Sequence, residues 1–401
     1  MQISPMAYRI NIFWCFFAPI FIVFFIKIGV DNRFIFSIKD VPFILLFVYF
    51  GVKGFFFERR LIYLYPLLII FITYLFLNWV FLNPNYGFVI ANIRQLLMPI
   101  LLIMFFSSCT LEGEDAVSVY TYVAWLSVSV FLIGVICLYF NVWESVGLDK
   151  FFSLKGIPVN AEGLSYMFYE PILGYSRRMV STMLDPISLG HTIAAVFISV
   201  WFVWPAKNYR FHILFVLFLM VLSTMSKGAI LQVVIACVFL AKKNHPIFKI
   251  VTLILVTSFI IWLPNKEGIL IHVEGTVNSF SKAELFGYGI GNVGNYAKMF
   301  NDNLEIYNSV EISDTYIGAV LGQLGLFGFI MWVSILCYLV FLNRNSCRVS
   351  KILLFSILLV SVLSENTLNF SSFYMTAILI GLNDSIANRG RDEKRNFHIG
   401  N

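Results

Sequence analysis

About a dozen apolar stretches, each long or nearly long enough to cross a bilayer, dominate this 401-residue chain. A helix crosses a hydrocarbon core of ~30 Å with about 20 mostly apolar residues. Candidate spans fall at 10–30, 36–56, 61–82, 88–106, 117–140 and 181–204, and then at 211–225, 228–241, 247–263, 313–342, 351–368 and 370–386. The two stretches within 211–241 form one almost unbroken apolar run, in which Ser223, Thr224, Ser226, Lys227 and Gly228 mark a tight turn. Only 12% of residues are charged and 59% are hydrophobic, whereas roughly a quarter of a soluble domain is charged. The expected fold is all-α: a polytopic transmembrane helix bundle of about 12 spans, forming a single integral membrane domain over residues 1–401.

Orientation follows from the bias of cationic residues toward short cytoplasmic loops. With the N-terminus inside, the short inner segments carry sixteen Lys and Arg residues and the short outer ones three, Arg33, Lys39 and Lys227. Both termini are therefore expected inside. The net charge of +6 is mostly this topology signal plus a basic C-terminal tail, and does not point to nucleic acid. Arg9 before an apolar run resembles a signal peptide, but no small-residue cleavage site follows, so the run is expected to be the first span.

The six cysteines lie in or beside spans and neither long loop has one, which argues against a disulfide framework or thiolate metal site. The five histidines show no i, i+4 pair, so no metal site is expected. The inner loops are short and hold no P-loop, so the chain's work is expected to run on a gradient or an already activated substrate.

Two long extracytoplasmic loops, residues 141–180 and 264–312, are rich in Gly, Tyr, Asn and Ser, a composition suited to a polar ligand such as sugar. Neither reads as a separately folded domain. Short helices on the membrane surface are expected, with Tyr166, Met167, Phe168 and Tyr169 as an anchor.

Three constellations carry chemistry. Arg177 and Arg178 stand just outside the span at 181–204, placed either to grip phosphate bidentately or to anchor a helix end by snorkelling. Asp185-Pro186 reads as an N-cap and first-turn proline or as part of the site with Asp185 in a supporting role, and His191 as a packed helix histidine or a supporting functional residue. Arg94 lies within a span, where a cation needs an anion, a water-filled cavity or a buried acid on another helix. Residues 286–292 form a glycine-rich turn, which follows no βαβ pattern and so is not a dinucleotide loop. Glu311 and Asp314 then stand at a helix start. Capping explains one of them, and the second suggests a base for a hydroxyl nucleophile.

The order of these segments carries a resemblance: Arg-rich sequence, then Ser181-x-x-x-Asp185-Pro186-x-x-x-Gly190, then Thr224-Met225-Ser226-Lys227-Gly228-Ala229, then Gly287-Tyr288-Gly289-Ile290-Gly291, then Ser313-Asp314-Thr315-Tyr316 before Gly322-Gln323-Leu324-Gly325. Over about residues 88–340 it resembles the O-antigen ligase and polymerase superfamily, and within it the Wzy-type polymerases. The resemblance implies a membrane-embedded, inverting, metal-independent glycosyltransferase without cofactor. Its partners would be a lipid-linked oligosaccharide donor on undecaprenyl pyrophosphate, a lipid-linked acceptor, the surrounding membrane lipid, and a protein that sets chain length. It also implies that Arg177, Arg178, Arg94 and Lys227 hold pyrophosphate, with Asp314 or Glu311 as the base. Lys227 stands where the family has arginine, and so lacks the bidentate fork. Asp314 falls where the ligases carry a histidine, and residues 301–325 contain none. That favours polymerase over ligase. A flippase or other transporter, the rival of a different class, predicts internal repeats, and none is seen.

Overall fold

A computed structural model describes residues 2–30, 32–53, 59–82, 86–170, 176–204, 209–240, 266–294, 315–342, 346–362 and 364–399. The chain is mostly helical. Among the described residues its helices are α1 (Pro5–Lys27), α2 (Val41–Val52), α3 (Arg59–Ile62), α4 (Tyr65–Leu82), α5 (Tyr86–Ser108) and α6 (Gly113–Tyr139). Then come α7 (Val142–Val146), α8 (Asp149–Leu154), α9 (Pro186–Phe202), α10 (Arg210–Ser223), α11 (Lys227–Leu240), α12 (Lys266–Ser281), α13 (Tyr316–Cys337), α14 (Arg348–Val360) and α15 (Phe370–Ile399).

Among the described residues, five segments are long and apolar enough to cross a membrane: Pro5–Lys27, Phe34–Val52, Tyr65–Leu82, Gly113–Tyr139 and Tyr316–Phe341. Shorter apolar helices, Asn92–Ser108 and α9 to α11 among them, pack with these. The chain is a membrane protein of the all-α class. The expected span 247–263 lies outside the described residues.

The core of the bundle is α15 laid against α5 and α9, with α11 on α9 and α14, and α1 on α6. Large side chains with almost no exposure fill it, including Tyr8, Phe106, Tyr120 and Tyr374. At one end the chain folds over the bundle. This loop end holds the exit of α1, a 3₁₀ segment Arg33–Asp40, helices α7 and α8, and the entries of α9, α11, α13 and α15. At the opposite end Ile3 N–H donates to the Thr110 carbonyl, and Ser346 and Cys347 meet Asp384.

Several elements depart from expectation. The span expected at 36–56 opens as 3₁₀ helix and becomes α-helical only at Val41, where Pro42 in the first turn needs no intrahelical N–H partner. The stretch 351–368 divides into α14 and a 3₁₀ turn Glu365–Leu368. The basic C-terminal tail continues α15 as helix. The first long loop is more folded than expected. Its β1 (Tyr169–Glu170) and β2 (Ser176–Arg177) pair antiparallel. Trp143, Phe151, Phe152 and Phe168 are buried there, forming a second apolar cluster with Ile22 and Ile26 of α1. Phe168 is therefore a core residue, while Tyr166 is exposed as an anchor would be.

The expected turn inside 211–241 is present. α10 and α11 have 14 residues each, about 21 Å at ~1.5 Å per residue. Their tip is recessed: Gly190, a turn into α9, packs on Thr224, Ser226 and Ala229, and Met179 N–H donates to the Ser223 carbonyl above it.

The glycine-rich segment is more than a turn. α13 breaks at Gly325, whose φ of 65° is closed to residues bearing a Cβ. The chain at 284–290 enters that break. Tyr288 N–H donates to the Gly322 carbonyl at 2.8 Å, while Leu326 and Phe327 donate to the Glu284 and Leu285 carbonyls at 3.0 and 3.1 Å. From α4, Tyr74 caps the Leu324 carbonyl and Asn78 reaches those of Phe286 and Gln323. Without these contacts the groups of α13 freed by the break would be unpaired backbone dipoles about 14 Å along the helix, which a membrane interior does not forgive.

Candidate functional site

The loop end gathers charge. Asp185 is the N-cap of α9: its Oδ1 accepts from Ile187 N–H at 2.9 Å, Ser188 donates to Oδ2, and Pro186 fills the first turn. The capping interpretation of Asp185 therefore holds. The same carboxylate lies within electrostatic reach of Lys39, Lys155 and Arg178.

Arg178 is buried and pinned. Its Nε donates to the Thr224 carbonyl at 2.9 Å, and its two terminal nitrogens reach the carbonyls of Met167 and Met225 at 3.4 Å. These groups include the C-terminal carbonyls of α10, where a cation complements the helix dipole. Burial pulls the guanidinium below its ordinary range, with Glu170 and Asp185 opposing that shift. Lys227 opens α11, and its Nζ lies 3.7 Å from Glu170 Oε1. Arg94 forms a two-point ion pair with Asp40 at 2.5 and 2.7 Å, Asp40 being 2% exposed and the Arg94 side chain 29%. This is the buried acid on another element that the sequence left open.

Lys39 and Lys155 complete the group, and sequence reasoning passed over both. Lys39 lies within electrostatic reach of Arg94 and Lys155, and shares the Phe370 ring with Arg94, at 5.9 and 5.8 Å from its centroid. Lys155 follows α8 and sits 4.2 Å from the centroid of Phe151 and 5.4 Å from that of Phe36. Burial pushes its ammonium down to about 8, and Asp185 pulls the other way.

Linked in this way are five cations, Lys39, Arg94, Lys155, Arg178 and Lys227, and three carboxylates, Asp40, Glu170 and Asp185. With all eight of these side chains ionised, the group carries a formal surplus of two positive charges among the described residues. Half-buried surplus charge of this kind costs solvation energy unless an anion shares the site.

The other candidates fall elsewhere. Arg177 lines a small cavity together with Arg178 but has other partners, being ion-paired with Glu144 and bonded to Asn141 Oδ1, both at the start of the first long loop. His191 is fully buried, with Nδ1 2.8 Å from Gln232 Oε1 and its Nε2 packed toward Gly228 without a hydrogen-bond partner. It reads as a packed helix histidine. Glu311 and Asp314 lie outside the described residues. The helix that follows them is capped by Thr315, whose hydroxyl oxygen accepts from Gly318 N–H at 3.1 Å, so α13 needs neither acid as its cap. Among the described residues no cluster of three or more His, Cys, Asp or Glu side chains has the arrangement to hold a metal ion. Comparison with protein-family models, with curated proteins and with solved structures found no match.

Proposed function

We propose that this chain polymerises lipid-linked oligosaccharide repeat units. It would transfer a growing glycan from undecaprenyl pyrophosphate onto the next lipid-linked unit, building O-antigen, capsule or exopolysaccharide. The setting is the bacterial cytoplasmic membrane, spanned about 12 times as the sequence suggests, with both termini inside and the loop end facing out.

The observation that supports this most is the formal surplus of two positive charges in the linked group at the loop end. A sugar pyrophosphate ester of a lipid carries two negative charges near neutral pH. The cluster would receive that anion between Lys39, Lys155 and Lys227, while Arg94 and Arg178, held by Asp40 and by backbone carbonyls, fix the field around it. In the reaction the acceptor hydroxyl oxygen bonds to the anomeric carbon as the bond from that carbon to pyrophosphate breaks. Its proton passes to Asp314 or Glu311, and the electron pair leaves with the pyrophosphate. The pyrophosphate bond energy is already in the substrate, so no nucleotide or metal is invoked.

One observation favours a transporter instead: a broken helix with irregular chain inserted, as in α13, is a device of transporters. A strain lacking the gene separates these readings when its surface glycan is sized on a gel. Single repeat units, normally attached, are the expected result. Polymer retained on its carrier lipid outside means ligase, unpolymerised units trapped inside mean flippase, and an unchanged ladder removes glycan assembly altogether.

A further inference from the structure

Helix α5 has two functional faces. Arg94 and its partner Asp40 occupy one, while Asn92, Gln95 and Leu96, spaced i, i+3 and i+4, turn to the other and meet α13. There they line a cavity of about 10 Å³ with Tyr316, Ala319, Val320 and Gln323, which is room for one water-sized group.

Local chemistry explains why the cavity exists. Pro99 has no N–H to give the Gln95 carbonyl, so the Tyr316 hydroxyl donates to it instead at 2.7 Å. The next carbonyl, Leu96, accepts from the Trp332 indole at 2.9 Å, and the Tyr316 and Trp332 rings lie 5.8 Å apart. The proline thus holds α5 and α13 together through two aromatic donors, with the polar gap one turn away.

Within that gap Gln323 is 4% exposed. Its Nε2 donates to the Val293 carbonyl at 2.9 Å and reaches Asn92 Oδ1 at 3.3 Å. Its Oε1 is buried with no hydrogen-bond partner. A buried amide oxygen left unpaired costs free energy that an incoming donor recovers. The lining has no charge, so neither an anion, which lacks a proton to donate, nor an ammonium, which finds no carboxylate, is the matching ligand.

The geometry points to a sugar-binding subsite: this pocket takes one hydroxyl of a neutral sugar ring seated at its mouth, donating to Gln323 Oε1. Resting on the polymerase reading, the sugar is the acceptor's. The pocket lies along the first two turns of α13, across α5 from Arg94 and its partner Asp40. Donor pyrophosphate and acceptor ring would thus lie on opposite faces of one helix.

The test is ligand-observed NMR on the purified full chain in detergent. The probes are methyl glycosides of galactose, rhamnose, N-acetylglucosamine and N-acetylgalactosamine, with inorganic pyrophosphate measured separately. At least one glycoside is expected to bind. Gln323→Leu is expected to weaken it by at least ~10-fold, the worth of one buried hydrogen bond, with pyrophosphate binding unchanged. Should Gln323→Leu fail to fold, Ala319→Leu keeps every amide and fills the gap, and the same loss is expected. No glycoside binding by the wild-type chain, or equal binding by the filled variant, makes the gap a water site and overturns the proposal. The two readings fail separately. Glycoside binding with an unchanged ladder in the deletion strain leaves the sugar site standing without the polymerase. Single units without glycoside binding leave the polymerase standing without this pocket.

Discussion

The two ends of the bundle treat a buried carboxylate in opposite ways. At the end away from the long loops, Asp384 of α15 is 5% exposed, and three neighbours enclose it. Cys347 N–H and the Ser350 hydroxyl donate to Oδ1 at 2.7 Å, and the Ser346 hydroxyl donates to Oδ2 at 3.0 Å. A carboxylate of one helix thereby closes the N-terminus of another, α14, and every donor in the arrangement belongs to the chain. At the loop end, Asp185 caps its own helix and is then faced by Lys39, Lys155 and Arg178, with more positive charge than the local acids balance. At one end the carboxylate's hydrogen bonds are all supplied from within the chain. At the other the named acids leave a formal surplus of positive charge, and the proposed function is assigned to it for that reason.

Charge reversal should break this contrast most sharply. Lys39→Glu combined with Lys155→Glu turns a surplus of two positive charges into a deficit of two. Affinity for inorganic pyrophosphate is expected to fall by at least ~100-fold, since each contact to a charged group is worth ~1.5–3 kcal/mol. Equal affinity in an equilibrium binding assay would show that the surplus does not hold the anion.

The next largest effect belongs to the opposite end. Asp384→Ala strands the Cys347 N–H and two hydroxyls, and a loss of ~2–4 kcal/mol of stability is expected in denaturant melts in micelles. Pyrophosphate affinity should not move at temperatures where the fold persists. A shift in affinity would mean that the two ends are coupled.

Between the ends, Gly325→Ala places a Cβ 2.3 Å from Gly287 N at a φ of 65°. A cost of ~1–3 kcal/mol follows from the backbone conformation alone, and the same melts measure it. A neutral result would mean that the loop segment does not sit in the break.

The smallest effect is on pH dependence. Lys155 is pushed down to about 8, so raising the pH through that value removes a positive charge from the loop end. Pyrophosphate affinity should decline there by up to ~10-fold, as one charge-assisted contact is lost. Lys155→Arg should flatten the profile. Stability runs the other way: the unfolded chain holds this proton to higher pH, so the cost of burying the charge is full below about 8 and fades above it.

Much of the helical layout was legible because apolar length and small polar turn residues are local signals. Ser223 to Gly228 marked the α10–α11 turn within a residue or two. Asp185-Pro186 announced a cap that is present. The break in α13 was not legible. Gly318, Gly322, Gly325 and Gly328 are compatible with close helix packing, and only the docking of residues 284–290, some forty positions earlier, makes Gly325 the breaking point.

The site was half legible. Arg94, Arg178 and Lys227 stood out as cations in or beside apolar runs, and all three join the cluster. Lys39 was read only as a topology marker and Lys155 as one of several loop cations. Their membership depends on Asp185, more than a hundred residues from Lys39, and on aromatic rings that no spacing rule connects to them. Arg177 looked equivalent to Arg178, yet Arg177 is committed to Glu144 and Asn141 while Arg178 is pinned to backbone carbonyls beside α10.

The most direct measurement places the purified chain in liposomes with a lipid-linked repeat unit as sole substrate, and follows both glycan length and free undecaprenyl pyrophosphate. A ladder of lipid-linked glycan is expected without nucleotide, with one undecaprenyl pyrophosphate released per bond formed. Substrate recovered intact, or merely moved to the other leaflet, would contradict polymerisation at the loop end.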